Sequence, residues 1–272
     1  MAKLMLHRQI LRDFHKLPNK VQKRISEWIE LFQKNPKDPS IGLHSVAEGM
    51  ADPKVRGGDL PGGYRAIIIA PDKGDTYLLV YVDAHDKAYD WARNKRFEVH
   101  EMTGLFQVFD AQEFQTAIQE RHEPAVPVSK YPLGKLSDDD LFKAGVPRPL
   151  IAAVKAIHSD ESLAALSDYL PPDCRDVLCG IAAGLTLDQA LEEMLGLTPA
   201  VAAAAAPDSP GDFTKLEKST NFDLIQFNDE EELKNIFKGS LEELRIFLHP
   251  YQRKLVAWQT NGPMNILSLI HI

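Results

Sequence analysis

Residues 53–84 have the sequence PKVRGGDLPGGYRAIIIAPDKGDTYLLVYVDA, and this stretch decides the fold of the N-terminal part of the chain. It contains three runs rich in β-branched and aromatic residues, separated by the turn sequences PGG and PDKGD. The pattern predicts three consecutive strands, at 53–60, 64–70 and 76–84.

The residues on either side of this stretch predict a compact α/β unit. A short apolar strand at 4–7 comes first, and two helices at 8–17 and 18–35 follow it. In the second helix, apolar residues recur every three or four positions, which indicates one buried face: Val21, Ile25, Trp28, Ile29 and Phe32. The predicted order is β-α-α-β-β-β, then a short helix at 85–94 and a hairpin at 96–110 with its turn at 101–104.

The rest of the chain predicts separate regions. Helical spacing dominates a small all-α module at 129–198, and the Ala/Pro-rich segment at 199–212 is expected to be an interdomain linker. After it, FDLIQF predicts a strand, NDEEELKNIFKG a capped helix, and residues 240–259 a helix, a loop and a second helix. The fold class expected for the whole chain is α+β.

Composition excludes several classes of protein. The apolar fraction of 44% is that of a chain with a buried core. The sequence has no apolar run of membrane-spanning length and no secretory signal, so we expect a cytoplasmic protein without a membrane partner. The two cysteines, Cys174 and Cys179, support neither a disulfide framework nor a zinc site.

The net charge of −8 is unevenly distributed. Residues 1–100 contain 17 Lys/Arg and 13 Asp/Glu, a balance of +4, whereas residues 101–272 contain 14 and 26, a balance of −12. The N-terminal part is therefore the part suited to a polyanion such as nucleic acid. The alternative is that its basic residues only solvate two amphipathic helices.

Side chains of the predicted strands form a candidate site for RNA chemistry. Lys54 and Arg56 alternate on one strand, so both are expected on one face, and Arg65 opens the next strand. His85 ends the third strand, and Tyr89 follows one helical turn later. RNA cleavage without metal needs groups of these types: a base for the 2′-hydroxyl, cations for the charge on the phosphorane, and a proton donor for the leaving oxygen.

A base-stacking aromatic would complete such a site, and Tyr64 or Tyr89 is expected to supply it. The sequence DAHD at 83–86 offers no tetrahedral ligand spacing, so no metal ion is predicted there.

With these motifs, residues 1–98 resemble the RelE/ParE toxin superfamily, small α/β proteins that cut messenger RNA on the ribosome or poison gyrase. The resemblance lies in the element order, in KVR and GGYRAIII, and in YVDAHDKAYDWA. It implies that the family's basic active-surface residues correspond to Lys54, Arg56 and Arg65. His85 matches a position usually held by Arg or His, and Tyr89 matches the family's late tyrosine. A RelE-shaped domain without nuclease activity is the alternative, because a shared fold does not establish an activity.

A second resemblance lies in FLHPYQRKLVAWQTNGPMNI at 247–266, which is similar to the segment that opens the motor of UvrD/Rep-type superfamily-one helicases. Gln252 matches their adenine-reading glutamine. The resemblance implies ATP and magnesium as cofactors of a parent helicase, DNA as its substrate, and 213–266 as the start of its motor. Since the G-x-x-x-x-G-K-[ST] loop does not follow, we expect a truncated chain, and LSLIHI at 267–272 resembles a translated sequencing adapter.

Three functions are therefore expected as alternatives. The first is an N-terminal part of an ATP-dependent UvrD-like DNA helicase whose RelE-like front domain contacts nucleic acid or the ribosome. The second is a ribosome-dependent messenger RNA endoribonuclease. The third is a non-catalytic interaction module that binds a ribosome, a nucleic acid or an antitoxin-like protein.

Overall fold

The structure, a computed structural model, describes residues 2–46, 49–120, 131–216, 223–227 and 229–238. It is mixed α and β, with a six-stranded mixed sheet and a separate two-stranded hairpin. The strands are β1 (Lys3–His7), β2 (His44–Ser45), β3 (Val55–Leu60), β4 (Tyr64–Ile69), β5 (Thr76–Ala84), β6 (Arg96–Val99), β7 (Phe106–Phe109) and β8 (Leu224–Ile225). The helices are α1 (Arg8–Phe14), α2 (Asn19–Lys34), α3 (His85–Ala92), α4 (Ala111–Glu120), α5 (Asp138–Lys143), α6 (Ile151–Lys155), α7 (Asp160–Leu166), α8 (Pro172–Ala182), α9 (Leu187–Leu195), α10 (Pro199–Ala205) and α11 (Glu230–Lys238).

The large sheet has the strand order β2-β3-β4-β5-β1-β8. Strands β3, β4 and β5 form the antiparallel meander predicted from residues 53–84, because short turns join them. Strand β1 pairs parallel with β5, from Lys3 opposite Thr76 to Leu6 opposite Leu79. A parallel pair needs a long crossover, and α1 and α2 are the helical part of that connection.

Each face of this sheet has its own apolar core. On one face α2 buries the side chains predicted from its periodicity, including Trp28 and Phe32, against Leu6, Ile68 and Leu79. On the other face α3 and the β6-β7 hairpin cover a second core. The predicted β-α-α-β-β-β order, the helix after β5 and the hairpin are confirmed, and the two-residue strand β2 is an addition to them.

The described residues between 213 and 238 pack on this sheet. Phe213 and Leu216 are buried in the core below the hairpin, and β8 pairs antiparallel with the far side of β1. Helix α11 packs beside α2, and Phe237 stacks on Phe14 with ring centroids 4.2 Å apart. The expected strand and capped helix are therefore present, but they complete the first unit. This corrects the expectation that a separate motor region begins at 213.

The Ala/Pro segment is also structured. Residues 199–205 form α10, and the amide of Val99 donates to the carbonyl of Pro210 at 2.8 Å. The amide of Asp72 donates to the carbonyl of Gly211 at 3.0 Å. The expectation of a linker with no packed element is thus corrected, because backbone hydrogen bonds hold its end to the sheet and the hairpin.

The helical module has one core, which begins earlier than the predicted residue 129. Phe109 of β7 and Phe114 of α4 contribute to it, together with residues from Leu133 to Leu197. The predicted Ser/Asp cap is confirmed, since Ser137 and Asp140 form a capping box at the start of α5. Helix α4, which the sequence reading did not anticipate, brings the hairpin and the module together.

Two buried ionisable groups lie where the hairpin meets the module. Gln107 of β7 donates to Asp173 Oδ2 at 2.6 Å, and burial raises the pKa of that carboxyl to about 7. His100 Nε2 lies 3.4 Å from the carbonyl oxygen of Val146, and burial lowers the pKa of its ring to about 4. At neutral pH the junction therefore holds a neutral imidazole and a half-protonated carboxyl.

No helix in the described parts of the chain is long and apolar enough to cross a bilayer.

We predict that Phe237→Ala destabilises the first unit. Phe237 is 6% exposed and stacks on Phe14, so truncation should cost roughly 3 kcal/mol in the free energy of unfolding measured with urea. The control is Val201→Ala, because Val201 is 43% exposed and its truncation should cost little. Equal unfolding midpoints for the two variants would show that α11 is not part of this core.

We also predict opposite pH dependences for variants of Asp173 and His100. Between about pH 4 and 7 the folded protein holds a proton on Asp173 that the unfolded chain lacks, so this group makes stability fall as pH rises. His100 does the reverse between its lowered value of about 4 and its ordinary 6.5, because there the unfolded chain holds the extra proton.

Asp173→Asn should therefore gain stability relative to the wild type as pH rises, by about 4 kcal/mol across this range, and His100→Gln should lose about 3 kcal/mol. Urea unfolding at half-unit pH steps measures both slopes. Profiles parallel to that of the wild type would contradict the buried state of these groups.

Candidate functional site

Tyr89 lies at the centre of a polar cluster on the α3 side of the large sheet. Its hydroxyl is 3.0 Å from His44 Nε2, and its ring meets the ring of His85 edge to face with centroids 4.7 Å apart. The positive charge of the Arg65 guanidinium acts on the same hydroxyl. We call Tyr89, His44, Arg65 and His85 the Tyr89 cluster.

Gly57 makes room for this cluster. It lies directly opposite His44 in the β2-β3 pair, and a Cβ atom at this position would clash with the Tyr89 hydroxyl and lie 2.8 Å from His44 Nε2. A side chain at residue 57 would therefore displace the imidazole or the phenol. The glycine is needed here for the close approach of two side chains.

The loop before β2 positions His44. The indole of Trp28 donates to the carbonyl of Ile41 at 3.0 Å, which ties the loop to the buried face of α2. Gly42 then adopts a left-handed conformation with φ of 58°, and its carbonyl oxygen lies 2.7 Å from His44 Nδ1. The imidazole is thus held through both ring nitrogens while the residue stays exposed to solvent.

Arg65 is placed by the strand register. In the meander it lies opposite Asp59 of β3 and Asp83 of β5, so one cation stands between two carboxylates on the same face. Its Nε is 3.2 Å from Asp59 Oδ1, an ion-pair distance, although the N–H is not aligned for a hydrogen bond there. The side chain of Arg65 is only 22% exposed, so a ligand can contact its guanidinium only from the edge of the cluster.

His85 is the first residue of α3, and its side chain is 51% exposed. Its Nδ1 lies 2.8 Å from Asp86 Oδ1, which leaves Nε2 free to face solvent. The ring therefore lies between bulk water and the phenol of Tyr89.

Burial raises the pKa of the Tyr89 phenol, and the charge and hydrogen bond of Arg65 oppose this effect. Asp59 adds a smaller effect in the raising direction. Tyr89 therefore keeps its proton at neutral pH and can donate a hydrogen bond.

Lys54 does not join the cluster. It precedes β3, and its ammonium group lies 3.1 Å from the carboxylate of Asp52, whose side chain is 3% exposed. The other oxygen of Asp52 accepts the amide of Phe97 at 2.9 Å. Lys54 thus neutralises a buried carboxylate that anchors the hairpin.

Arg56 lies on the opposite face of the sheet from Arg65. It pairs with Ile68, which belongs to the core under α2, and a Cβ atom on its neighbour Gly58 would lie 2.6 Å from Trp28 of α2. Its guanidinium donates to the carbonyls of Pro53 and Val55 at 2.6 and 2.9 Å. The expectation that three cations converge on one surface is therefore wrong, because the register separates them.

Two other expectations concern aromatic and cofactor contacts. Tyr64 packs against the core under α2, so of the two expected stacking residues only Tyr89 is on the face of Arg65. Gln252 lies outside the described residues. Within the described residues, no group of three or more His, Cys, Asp or Glu side chains is arranged to hold a metal ion.

Comparison with protein-family models, with curated proteins and with solved structures gave no match to this chain. The resemblances to RelE/ParE toxins and to UvrD-type helicases therefore stay predictions from the sequence.

The cluster brings together three of the five predicted RNase-surface residues, Arg65, His85 and Tyr89, and adds His44. Groups of these types can transfer a proton between an imidazole and a phenol beside a guanidinium that can bind an anion. The sequence reading missed His44 because a two-residue strand has no periodicity. The signal available in the sequence was His44, which precedes a strand containing the pair Gly57-Gly58.

Proposed function

We propose that the first unit is an RNA-acting domain of the RelE type, which precedes the motor region of an ATP-dependent UvrD-like DNA helicase. The observation that carries the proposal is the Tyr89 cluster: a solvent-accessible imidazole–phenol pair beside a single guanidinium. These are the groups that transesterification of RNA without metal uses.

In this proposal Arg65 binds the scissile phosphate. A phosphate oxygen competes with Asp59 for the guanidinium, and the extra negative charge of the phosphorane makes that competition more favourable in the transition state. Tyr89 and His44 lie where the proton of the 2′-hydroxyl would be taken up. The product of such a cleavage is a 2′,3′-cyclic phosphate and a free 5′-hydroxyl.

The charge of the Tyr89 cluster favours RNA that is held in place by another molecule, such as a ribosome, over free RNA. Arg65 is paired with Asp59, and Asp83 and Asp86 lie close by, so the surface is not the cationic groove that composition alone suggests. Binding to bare RNA is therefore expected to be weak. A ribosome would present messenger RNA in place without relying on this surface for affinity.

The helicase part of the proposal rests on the sequence at 247–266 and on Gln252. Its cofactors would be ATP and magnesium, held in the full-length parent protein. An RNA-acting front domain on a DNA motor is consistent with a protein that works where transcripts and DNA are both present.

The test of the RNA activity is messenger RNA cleavage on programmed ribosomes by residues 1–272, because β8 belongs to the sheet of the first unit and α11 contributes to its core. Arg65→Ala should lower the cleavage rate about a hundredfold through lost stabilisation of the phosphorane. Arg56→Ala removes the same kind of group from the opposite face and should leave the rate nearly unchanged.

The same variants distinguish the alternatives. If the wild type binds ribosomes in a salt-dependent way but does not cut, the interaction module is the better account, and Arg65→Ala should then reduce the salt slope by about one. Neither cutting nor binding would reject an RNA-acting domain.

The test of the helicase region is ATP hydrolysis by the full-length gene product in the presence of single-stranded DNA. We expect Gln252→Ala to raise the KM for ATP at least tenfold, since a lost hydrogen bond to the adenine removes roughly 1.5 kcal/mol or more of binding free energy. Gln259→Ala is the matched control, a second glutamine of the same segment that the resemblance gives no adenine contact. Hydrolysis unaffected by Gln252→Ala would remove the basis for the helicase assignment.

A further inference from the structure

We propose that His44 is a positioning residue that accepts the hydroxyl proton of Tyr89, so that Tyr89 takes the proton of the attacking 2′-hydroxyl during RNA cleavage. The proposal rests on the function proposed above and assigns its proton path. The sequence-derived RNase surface does not contain His44.

The hydrogen bonds of His44 determine its tautomer. Nδ1 is 2.7 Å from the carbonyl oxygen of Gly42, which can only accept, so Nδ1 must carry the proton. In a neutral imidazole the other nitrogen then presents a lone pair. Nε2 is 3.0 Å from Tyr89 Oη, and the hydroxyl therefore donates to it. In this pair of hydrogen bonds the Tyr89 hydroxyl donates to Nε2, and Nδ1 donates to the Gly42 carbonyl.

This arrangement resembles the general scheme in which a base is oriented by a third group and activates a hydroxyl. The carbonyl of Gly42 is the orienting group, since the left-handed conformation of Gly42 and the tie from Trp28 to Ile41 hold it in place. Gly57 lets the imidazole and the phenol meet over the backbone of β3. The pair is thus built before any substrate binds.

The protonation state of the Tyr89 phenol determines its role in the proposed step. Its phenol keeps its proton at rest, because burial raises its pKa more than Arg65 lowers it. A protonated phenol cannot take up a second proton unless it gives up its own. Tyr89 therefore acts as a relay, in which the arriving proton and the departing proton move together.

The 2′-hydroxyl proton moves to Tyr89 Oη while the phenol proton moves to His44 Nε2. The 2′-oxygen forms a bond to phosphorus, the bond from phosphorus to the 5′-oxygen breaks, and the 5′-oxygen takes a proton from solvent. The imidazolium of His44 then releases its proton to water. The charged groups that face the relay are Arg65 and Asp59 of the sheet, and His85 of α3 is a further titratable group there.

The first test is ribosome-dependent cleavage by residues 1–272 and by single and double variants. His44→Ala and Tyr89→Phe should each slow cleavage about a hundredfold with little change in ribosome binding, and the double variant should be no slower than either single one. His158→Ala is the matched control. His158 is half-buried, and its Nδ1 lies 3.0 Å from the carbonyl oxygen two residues before it, as in His44, but it belongs to the helical module.

If His44 had only a structural role, the residual cleavage by His44→Ala would keep the pH dependence of the wild type. If His44 is part of the relay, that pH dependence should change. The shape of the wild-type pH–rate profile should change in His44→Ala, because this variant lacks the Nε2 atom that accepts from Tyr89. Added imidazole should restore part of the rate to His44→Ala and none to Tyr89→Phe. A wild-type pH profile in His44→Ala would overturn the proposal.

The second test does not need RNA. Long-range ¹⁵N NMR of the full chain should show His44 in the Nδ1–H tautomer, with a hydrogen-bonded Nε2 whose resonance shifts in Tyr89→Phe and not in His158→Ala. An Nε2–H tautomer would overturn the relay even if the protein cuts RNA.

If the tautomer is as expected and the wild type cuts nothing, the proposed function fails and the relay fails with it. If the wild type cuts and His44→Ala cuts equally well, only the relay fails.

Discussion

The parallel pairing of β1 with β5 is the constraint on which the rest of the first unit depends. A parallel neighbour cannot be reached by a tight turn, so α1 and α2 must cross over one face of the sheet, and α2 buries its apolar stripe there. The same pairing turns the other side of β1 into a sheet edge. Unpaired backbone groups at such an edge are costly to leave buried, and β8 satisfies part of them with a short antiparallel pair. Residues far apart in the chain therefore share one core.

The Tyr89 cluster is a consequence of the meander on the other half of that sheet. Antiparallel register puts Arg65 opposite Asp59 and sends Arg56 to the other face, and a direct strand-to-helix junction brings Tyr89 back over β3. Residue 57 is a glycine in this contact, and a Cβ atom there would clash with the Tyr89 hydroxyl and the His44 imidazole. A phenol, an imidazole and a guanidinium meet there, and groups of these types can transfer a proton beside a phosphate.

The helical module is joined to the first unit by polar as well as apolar contacts. Leu105 and Phe109 pack in the core of the module, while Phe97 and Phe106 of the same hairpin pack under the sheet. Between these cores lie Asp173 and His100, whose pKa values are shifted by burial in opposite pH directions. Their contributions to stability change in opposite directions between about pH 4 and 6.5, so their combined effect on stability varies less with pH than the effect of either group alone.

Local patterns in the sequence determined the elements of this protein, and the tertiary structure decided how they meet. Periodicity and turn residues are short-range signals, and they sufficed for the meander, α2, the hairpin and the Ser137 cap, because each depends on neighbours a few residues away. They also placed Arg65, His85 and Tyr89 near one another, since one strand and one helical turn separate these residues. The face of Arg56 depends on strand register, which local patterns do not specify. The contacts from Asp52 to Phe97 and from His44 to Tyr89 each join residues 45 positions apart, which local patterns do not specify either. The same reason applies to residues 213–238: their sequence shows a strand and a helix, but only the apolar surface left open beside β1 and α2 decides where these pack.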